Sequence, residues 1–143
     1  DGEEPPPAAP PETEADPVSG PVSGTVLVVE DDALFRGLMA EVLEAEGYRV
    51  LTASEPAEAR GLCSGRLEAV DLLVSDLVMP GGNGVELASE LRGRYPDLRV
   101  ILMSGYSGDE LASRDLDEVQ AEGFLEKPFD VSSLLRMVRS VLS

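Results

Sequence analysis

Short apolar runs alternate with helical patterns of apolar residues along most of the chain. Five runs have the length and composition of buried strands, because continuous aliphatic and β-branched residues favour a strand covered on both faces. These runs lie at residues 26–29, 48–53, 72–76, 99–103 and 123–126. Apolar residues at helical spacing follow each run and predict helices at about residues 34–47, 55–65, 84–95, 108–120 and 131–142.

This alternation predicts an α/β fold. Five strand and helix pairs within about 120 residues favour one parallel sheet with right-handed crossovers and helices on both faces. In the doubly wound strand order 2-1-3-4-5, the first and third strands are neighbours. Ligands of such sheets gather at the edge where the strands end, so we expect functional side chains directly after the strands.

The first 24 residues differ in composition from the rest. They contain seven of the eleven prolines and six acidic residues without a basic one, and they have almost no large apolar side chains. Such a segment cannot bury a core, and proline-rich chains favour extended conformations. We therefore interpret residues 1–24 as a disordered linker to an upstream part of a longer protein, and residues 25–143 as one domain. An expression-vector remnant is the less favoured alternative.

The charge of the chain restricts the kinds of partner. There are 28 acidic and 11 basic residues, which give a net charge of −17, and no run of Lys or Arg can neutralise a line of phosphates. Direct binding to nucleic acid is therefore disfavoured. The apolar runs are far shorter than the ~20 residues of a membrane span. A single cysteine, Cys63, and the lack of a secretory signal favour a cytoplasmic location, whether or not a parent protein is attached to a membrane.

Acidic residues follow the first and third strands. Glu30, Asp31 and Asp32 end the first run, and Asp76 ends the third, so the predicted strand order brings carboxylates into one small volume. Two unit charges ~4 Å apart repel by about 4 kcal/mol at an effective dielectric of ~20, which forces proton uptake unless a cation is bound. A hard divalent ion, Mg²⁺ above all, suits oxygen ligands alone. The alternative is that Asp76 only begins a turn.

Two more polar residues follow the remaining strands. Ser104 supplies a hydroxyl after the fourth strand, and Lys127, the only lysine of the chain, supplies an ammonium after the fifth. The long Lys127 side chain could reach back toward Asp76, where its charge would complement a phosphoryl group. We therefore expect phosphoryl transfer to Asp76 as nucleophile, with Lys127 and Ser104 stabilising the transferred group. A lysine that only forms a salt bridge with a site acid is the alternative.

Four segments resemble the receiver domain of two-component response regulators. VLVVEDD, SDLVMPGGNG, ILMSGYS and FLEKPF occur in that family's order and spacing, and the similarity covers residues 25–143. The resemblance implies a flavodoxin-like fold and phosphorylation of Asp76 by a phosphohistidine donor, either a histidine kinase or a histidine phosphotransfer domain. It also implies a domain that assists its own phosphorylation and dephosphorylation but is not an enzyme. No histidine and no ATP-binding motif are present, so this chain is not itself the kinase, although a parent hybrid protein could be one.

The resemblance assigns metal ligands residue by residue. The acidic pair of the family falls on Glu30 and Asp31, with Asp31 as the more direct ligand, while Asp32 begins the helix. Asp76 and the backbone carbonyl of Val78 would complete the protein's share of the Mg²⁺ sphere. Glu30 stands where the family more often has aspartate, a tolerated variation.

The resemblance also assigns a switch. Ser104 takes the position of the switch hydroxyl, and Phe124, three residues before Lys127, takes that of the aromatic switch residue, where tyrosine is more familiar. We expect Ser104 to move toward the phosphoryl group, Phe124 to rotate inward, and the surface between the fourth strand and the final helix to change. Tyr106 could overhang the site and slow attack by water. The Lys127–Pro128 peptide bond is expected to be cis.

The sequence alone leaves several alternative functions and parent proteins open. The motif ILMSGYS and a receiver after a proline-rich linker look most like the terminal receiver of a hybrid sensor histidine kinase, and a separate response regulator is the alternative. A phosphatase that turns over through an aspartyl-phosphate is less favoured, because such enzymes usually carry the nucleophile after the first strand and a second Asp two residues on, where this chain has Val78. A docking module that keeps the fold without phosphorylation is the third candidate. The oligomeric state is left open, a monomer included.

Overall fold

The computed structural model describes residues 24–64, 69–79, 81–104 and 120–142. Within these ranges strands and helices follow one another along the chain, and a short pair of strands lies after the third strand. The elements are β1 (Thr25–Val29), α1 (Ala33–Ala45), β2 (Arg49–Ala53), α2 (Pro56–Ser64), β3 (Leu72–Asp76), β4 (Val78–Met79), β5 (Gly82–Asn83), α3 (Gly84–Arg94), β6 (Arg99–Ser104), β7 (Gly123–Glu126) and α4 (Val131–Leu142).

Five of the strands form one parallel sheet in the order β2-β1-β3-β6-β7. With the two-residue strands β4 and β5 set aside, this is the order 2-1-3-4-5, so the predicted α/β doubly wound fold is confirmed. β1 lies between β2 and β3, with Val29 opposite Ala53 on one side and Ser75 on the other. The acids that follow β1 therefore leave the sheet directly beside the end of β3.

Both faces of the sheet are buried because alternate side chains of each strand point to opposite sides. On β1, Leu27 and Val29 belong to one apolar cluster, and Val26 and Val28 belong to the other. Helices α2 and α3 cover the first face with Ala59, Cys63, Leu87, Ala88 and Leu91. Helices α1 and α4 cover the second face with Met39, Leu43, Leu134 and Val138.

The first helix is fixed at its start by an aspartate, as its sequence predicts. The Asp32 Oδ1 accepts the backbone N–H groups of Leu34 and Phe35 at 3.0 and 3.2 Å, which satisfies two of the donors left open at a helix N-terminus. At the other end, Gly47 has φ +110°, a conformation that favours glycine. Asp32 thus fixes the start of α1 beside the acidic loop, and Gly47 follows the end of the helix.

The structure differs from the sequence-based prediction mainly after β3. The antiparallel pair of β4 and β5 was not predicted, because two-residue strands carry no periodicity that a sequence pattern can reveal. The ends of the predicted elements otherwise agree with the structure to within two residues. Most of the helix predicted at 108–120 and nearly all of the linker predicted at 1–24 lie outside the described residues, so both stay predictions.

Candidate functional site

The carboxyl ends of four neighbouring strands deliver polar side chains to one edge of the sheet. β1 is followed by Glu30 and Asp31, β3 ends in Asp76, β6 ends in Ser104, and β7 is followed by Lys127. Strand pairing fixes this convergence, since Asp76 lies opposite Met103 and Ser104 lies opposite Glu126. The structure thus brings together the acids, the hydroxyl and the ammonium that the sequence singled out.

Three carboxylates form the centre of this edge. Glu30, Asp31 and Asp76 each offer an oxygen within 4.8 Å of the others, so the group could hold a metal ion. Their exposure differs: Glu30 is 1% exposed and Asp76 is 5% exposed, whereas Asp31 opens to solvent. A hard divalent cation fits a donor set made only of carboxylate oxygens, and positive charge there would offset the repulsion among the acids.

Four hydrogen bonds hold Glu30 in place. Its Oε1 accepts from the Lys127 amine at 2.7 Å, and its Oε2 accepts from the Asp32 N–H at 2.9 Å. The Arg36 guanidinium donates to the backbone carbonyl of Glu30 at 2.8 Å, and the Glu30 N–H donates to the carbonyl of Ala53 at 3.0 Å. The carboxylate of Glu30 is therefore fixed by the start of α1 and by the lysine after β7.

Lys127 lies between the buried acids. Its amine forms an ion pair with Asp76 Oδ1 at 2.8 Å as well as with Glu30 Oε1, and its side chain is 23% exposed. The amine also lies 5.2 Å from the centre of the Phe35 ring. The Lys127–Pro128 peptide bond is cis. The amine thus points toward Asp76 and Glu30 and away from bulk solvent.

The charges of this group shift each other's protonation. Burial raises the pKa of Asp76 to about 7, and the neighbouring charge of Glu30 adds to this, although the hydrogen bond from Lys127 acts in the opposite direction. Burial alone would lower the pKa of Lys127, but hydrogen bonds to Asp76 and Glu30 and their negative charges raise it above its usual value. A single ammonium is therefore too little charge to keep Asp76 fully ionised at neutral pH without a further cation.

The two residues assigned to the switch lie on neighbouring strands. Ser104 is buried at the end of β6, and its carbonyl accepts the Lys127 N–H at 2.8 Å. Phe124 is half-buried on β7 opposite Leu102 and packs against the apolar cluster under α2 and α3. Tyr106 lies outside the described residues, so its predicted place over the site stays a prediction.

The loop after Asp76 is tighter than its glycines suggest. The Leu77 N–H donates to the carbonyl of Met103 at 2.8 Å, and the Gly84 N–H donates to the carbonyl of Leu77 at 2.9 Å. A Cβ on Gly84 would overlap the carbonyl oxygen of Asp76, so only glycine fits there. Gly81 has φ +85°, which also favours glycine. The close approach at Gly84 was not predicted from the sequence.

Val78 and two α1 residues complete the surroundings of the site. Val78 pairs with Asn83 in the small antiparallel ladder, and its side chain is exposed. Phe35 and Arg36, which contact Lys127 and Glu30, were not singled out from the sequence. Their position on the first turn of a helix that starts at the acidic loop is the signal that could have identified them.

No helix among the described residues combines the length and the apolar character that crossing a membrane requires.

Comparisons with known proteins identify the family of the chain. A family profile described as "Response regulator receiver domain" matches residues 26–139. The sensor kinase CckA of Brucella abortus is 39% identical over 120 residues, which are 84% of this chain and 13% of that protein. The transcriptional regulatory protein CpxR of Klebsiella pneumoniae is 33% identical over 117 residues, which are 82% of this chain and 48% of that protein. The chain therefore spans less than half the length of either relative.

Solved structures show the same fold. The non-phosphorylated HemR receiver domain from Leptospira biflexa is 34% identical, with a TM-score of 0.74 over 84% of this chain and 94% of that one. A response regulator receiver protein from Pseudomonas putida is 28% identical, with a TM-score of 0.73 over 83% of this chain and 98% of that one. The chain belongs to the response regulator receiver domain family and is a receiver domain of two-component signalling.

Proposed function

We propose that this receiver domain accepts a phosphoryl group on Asp76 from a phosphohistidine, carried by a histidine kinase or a histidine phosphotransfer domain. The observation that carries the proposal is the position of the Lys127 amine, 2.8 Å from Asp76 Oδ1 at the edge where four strands end. An acceptor carboxylate beside a fixed ammonium suits transfer of a negatively charged group, because positioning and charge neutralisation supply most of the catalysis in phosphoryl transfer.

In this proposal Glu30, Asp31 and Asp76, together with the backbone carbonyl of Val78, would hold Mg²⁺. The close approach of the three carboxylates and their all-oxygen donor set support this choice of ion. Asp31 is the ligand most open to an ion, since both carboxylate oxygens of Glu30 already accept hydrogen bonds. When bound, Mg²⁺ would supply positive charge to the oxygens of the acceptor and of the phosphoryl group.

The residues of the chain would act in the transfer as follows. A carboxylate oxygen of Asp76 forms the new bond to phosphorus, while the bond from phosphorus to the donor imidazole nitrogen breaks and its electron pair stays on that nitrogen. The Lys127 ammonium and the Ser104 hydroxyl donate hydrogen bonds to the phosphoryl oxygens and take up their negative charge. Hydrolysis of the acyl phosphate by water would later return the carboxylate of Asp76.

An apolar patch beside the site supports docking of a protein donor. Leu34 is 87% exposed and Leu38 is 44% exposed, and both lie on α1, which begins directly after the acidic loop. Residues four apart share one face of a helix, so the two leucines form a continuous apolar surface. A partner helix that carries the phosphohistidine would cover these leucines while the histidine reaches Asp76.

The switch is the output of the proposed transfer. Ser104 is buried next to the Lys127 backbone, and a hydroxyl drawn toward the phosphoryl group would vacate space on the side of Phe124. Phe124 has no hydroxyl to satisfy, so burial alone would favour its inward rotation. A complex with a phosphoryl analogue in which Phe124 keeps the same side-chain position would contradict this part of the proposal.

We propose a hybrid sensor histidine kinase as the parent protein. Similarity to the sensor kinase CckA and the proline-rich composition of residues 1–24 support this context. Similarity to CpxR keeps a separate response regulator as the alternative. The sequence of the complete gene would decide, since a transmitter region in the same reading frame is expected only for the hybrid kinase.

The test of the transfer is phosphorylation by acetyl phosphate and Mg²⁺, followed by intact mass spectrometry. We expect the wild-type protein to gain the mass of one phosphoryl group and Asp76→Asn to gain none. Asp71→Asn is the matched control, because Asp71 lies at the opposite edge of the sheet.

A phosphorylated Asp76→Asn protein would place the acceptor elsewhere and overturn the proposal. A wild-type protein that gains no mass and releases no phosphate would favour a docking module without phosphorylation. Steady release of phosphate from unrelated phosphate esters would favour the phosphatase. The place of Asp76 after β3 rather than β1 argues against this last function.

A further inference from the structure

The face of an aromatic ring lies against the lysine of the site. The Lys127 amine is 5.2 Å from the centre of the Phe35 ring, within the distance at which a cation is attracted to an aromatic face. The ring is itself oriented by Phe129, two residues after the lysine, with the ring centres 5.4 Å apart and the planes at 60°. This edge-to-face contact is a favourable geometry for an aromatic pair.

The backbone of Phe35 is tied to the acidic loop. Its N–H donates to the Asp32 Oδ1 at 3.2 Å, and the Asp32 N–H donates to Glu30 at 2.9 Å. The ring is half-buried and packs against the apolar cluster under α1 and α4. The segment that carries Glu30 and Asp31 therefore also sets the place of the ring that faces Lys127.

The three contacts of the amine differ in what happens to them during the proposed transfer. Glu30 and Asp76, the two ionic partners, are also the residues proposed to bind Mg²⁺ and to accept the phosphoryl group. Their oxygens change partners when the ion and the phosphoryl group arrive. The ring of Phe35 binds no metal and carries no proton that could be lost, so its attraction for the ammonium is the same before and after transfer.

We propose that Phe35 is a positioning residue that holds the Lys127 ammonium over the acceptor while Glu30 and Asp76 change partners. This role rests on the proposed phosphoryl transfer to Asp76. The ring acts through the lysine and does not touch the transferred group. Loss of a cation and aromatic contact of this kind lowers the share of molecules with the ammonium in place, and so lowers the rate roughly 2- to 5-fold.

The contact itself is tested by NMR, because Lys127 is the only lysine in the chain and selective lysine labelling reports on it alone. Protons next to the amine should resonate upfield of their free-lysine position owing to the ring current. We expect this shift to be lost in Phe35→Leu and kept in Phe35→Tyr. A shift unchanged in Phe35→Leu would overturn the contact, whether or not the protein is phosphorylated.

The role in the reaction is tested by the rate of phosphorylation with acetyl phosphate. Phe35→Leu should slow it roughly 2- to 5-fold, and Phe35→Tyr should restore it, because only the tyrosine keeps an aromatic face. Leu135→Ala, in the same apolar cluster, is a control for lost packing and should keep the wild-type rate although it lowers the melting temperature.

If the wild-type protein is phosphorylated, the proposed function stands. Equal rates for Phe35→Leu and Phe35→Tyr, or a slow rate for Leu135→Ala, would then overturn the positioning role alone. A wild-type protein that takes up no phosphoryl group would overturn the proposed function and this role with it. The NMR shift would then show only that the ring contacts the amine.

Discussion

At the amino-terminal edge of the sheet, Asp71 is exposed and accepts the Thr25 N–H at 2.8 Å. At the carboxyl-terminal edge, Glu30 and Asp76 are almost inaccessible and share the amine of Lys127. Asp71, just before β3, and Asp76, the last residue of β3, are thus placed in opposite environments. Asp71 accepts a hydrogen bond from the backbone N–H at the start of β1. The charged form of Asp76 is destabilised by burial and by the neighbouring charge of Glu30.

The difference shows that burial, and not residue type, gives the two aspartates beside β3 different electrostatic environments. Water screens Asp71, so one hydrogen bond to a backbone N–H is enough at that edge. Asp76 has lost that screening beside a second carboxylate, and its pKa rises to about 7 as a result. A group in this state gains from each positive charge that approaches it, which suits binding of a cation and of a phosphoryl donor.

The largest expected effect is that of Lys127→Met. It leaves Glu30 and Asp76 buried without their ammonium, so the free energy of unfolding at pH 8 should fall by about 3–4 kcal/mol. The rate of phosphorylation should fall at least ~100-fold, because a charge that stabilises the transferred group is lost. Urea denaturation and intact mass spectrometry measure the two effects.

The matched variant at the other edge is Arg99→Met. The Arg99 guanidinium donates to the carbonyl of Val141 and is exposed, so its loss should cost less than ~1 kcal/mol. Equal losses of stability in the two variants would mean that burial does not distinguish the two edges.

Substitution of two glycines on α3 compares how closely the chain is packed at the start and near the end of this helix. Gly84→Ala places a methyl group on the carbonyl oxygen of Asp76 and should lower the free energy of unfolding by about 3 kcal/mol. Gly93 lies near the other end of the helix, where an added Cβ meets no atom within 4 Å among the described residues. Gly93→Ala should raise stability by about 0.5–1 kcal/mol, since it only removes freedom from the unfolded chain.

Thermal and urea denaturation of both glycine variants measure these changes. If Gly84→Ala were as stable as Gly93→Ala, the loop after Asp76 would have to be able to move away from the helix start, contrary to the close approach in the structure.

The pH dependence of stability without metal should reveal Asp76. Its pKa is about 7 in the folded protein and 3.8 in the reference state, so the folded protein binds a proton more tightly than the unfolded chain. Stability from this group is present at low pH and is lost as pH rises through 7. Between pH 5 and pH 8 the loss should be roughly 2–3 kcal/mol in the presence of a chelator.

The chain has no histidine, so no histidine titration overlaps with that of Asp76 in this pH range. Asp76→Asn should flatten the dependence, and Asp71→Asn should keep it. A flat profile for the wild-type protein would show that Asp76 is ionised throughout and that the edge is less strained than its burial implies.

The smallest expected effects distinguish the roles of two adjacent acids, Asp31 and Asp32, in Mg²⁺ binding and in stability. Asp32→Ala removes the N-cap of α1 and should lower stability by about 1 kcal/mol with little change in Mg²⁺ affinity. Asp31→Ala should leave stability without metal almost unchanged and weaken Mg²⁺ binding at least ~10-fold, because it removes a charged ligand. Denaturation and titration calorimetry measure the two properties, and the reverse pattern would exchange the assignments of Asp31 and Asp32.

The sheet could be predicted because β1, β3 and β6 are continuous apolar runs that only a sheet covered on both faces can bury. Its strand order was implied by the resemblance to receiver domains. Alternation with helices then favoured parallel strands and a shared carboxyl edge. Asp76, Ser104 and Lys127 could be predicted as site residues because each lies at the carboxyl end of a strand of this sheet.

Other features depended on contacts between residues far apart in the chain. Nothing in the local pattern around Phe35 indicates that its ring faces a lysine 92 positions later, and Gly84 looks like any loop glycine until Asp76 is placed against it. The two-residue ladder of Val78 and Asn83 is equally invisible, since so short a strand has no period.

The sequence by itself determined the order of elements and which side chains stand at the strand ends, because hydrophobic period and turn residues are local properties. Only the tertiary structure decided how deeply Glu30 and Asp76 are buried and which oxygens the Lys127 amine contacts. Those properties depend on how sheet and helices exclude water and fix distances of a few ångströms between distant segments, and electrostatic energies change steeply over such distances.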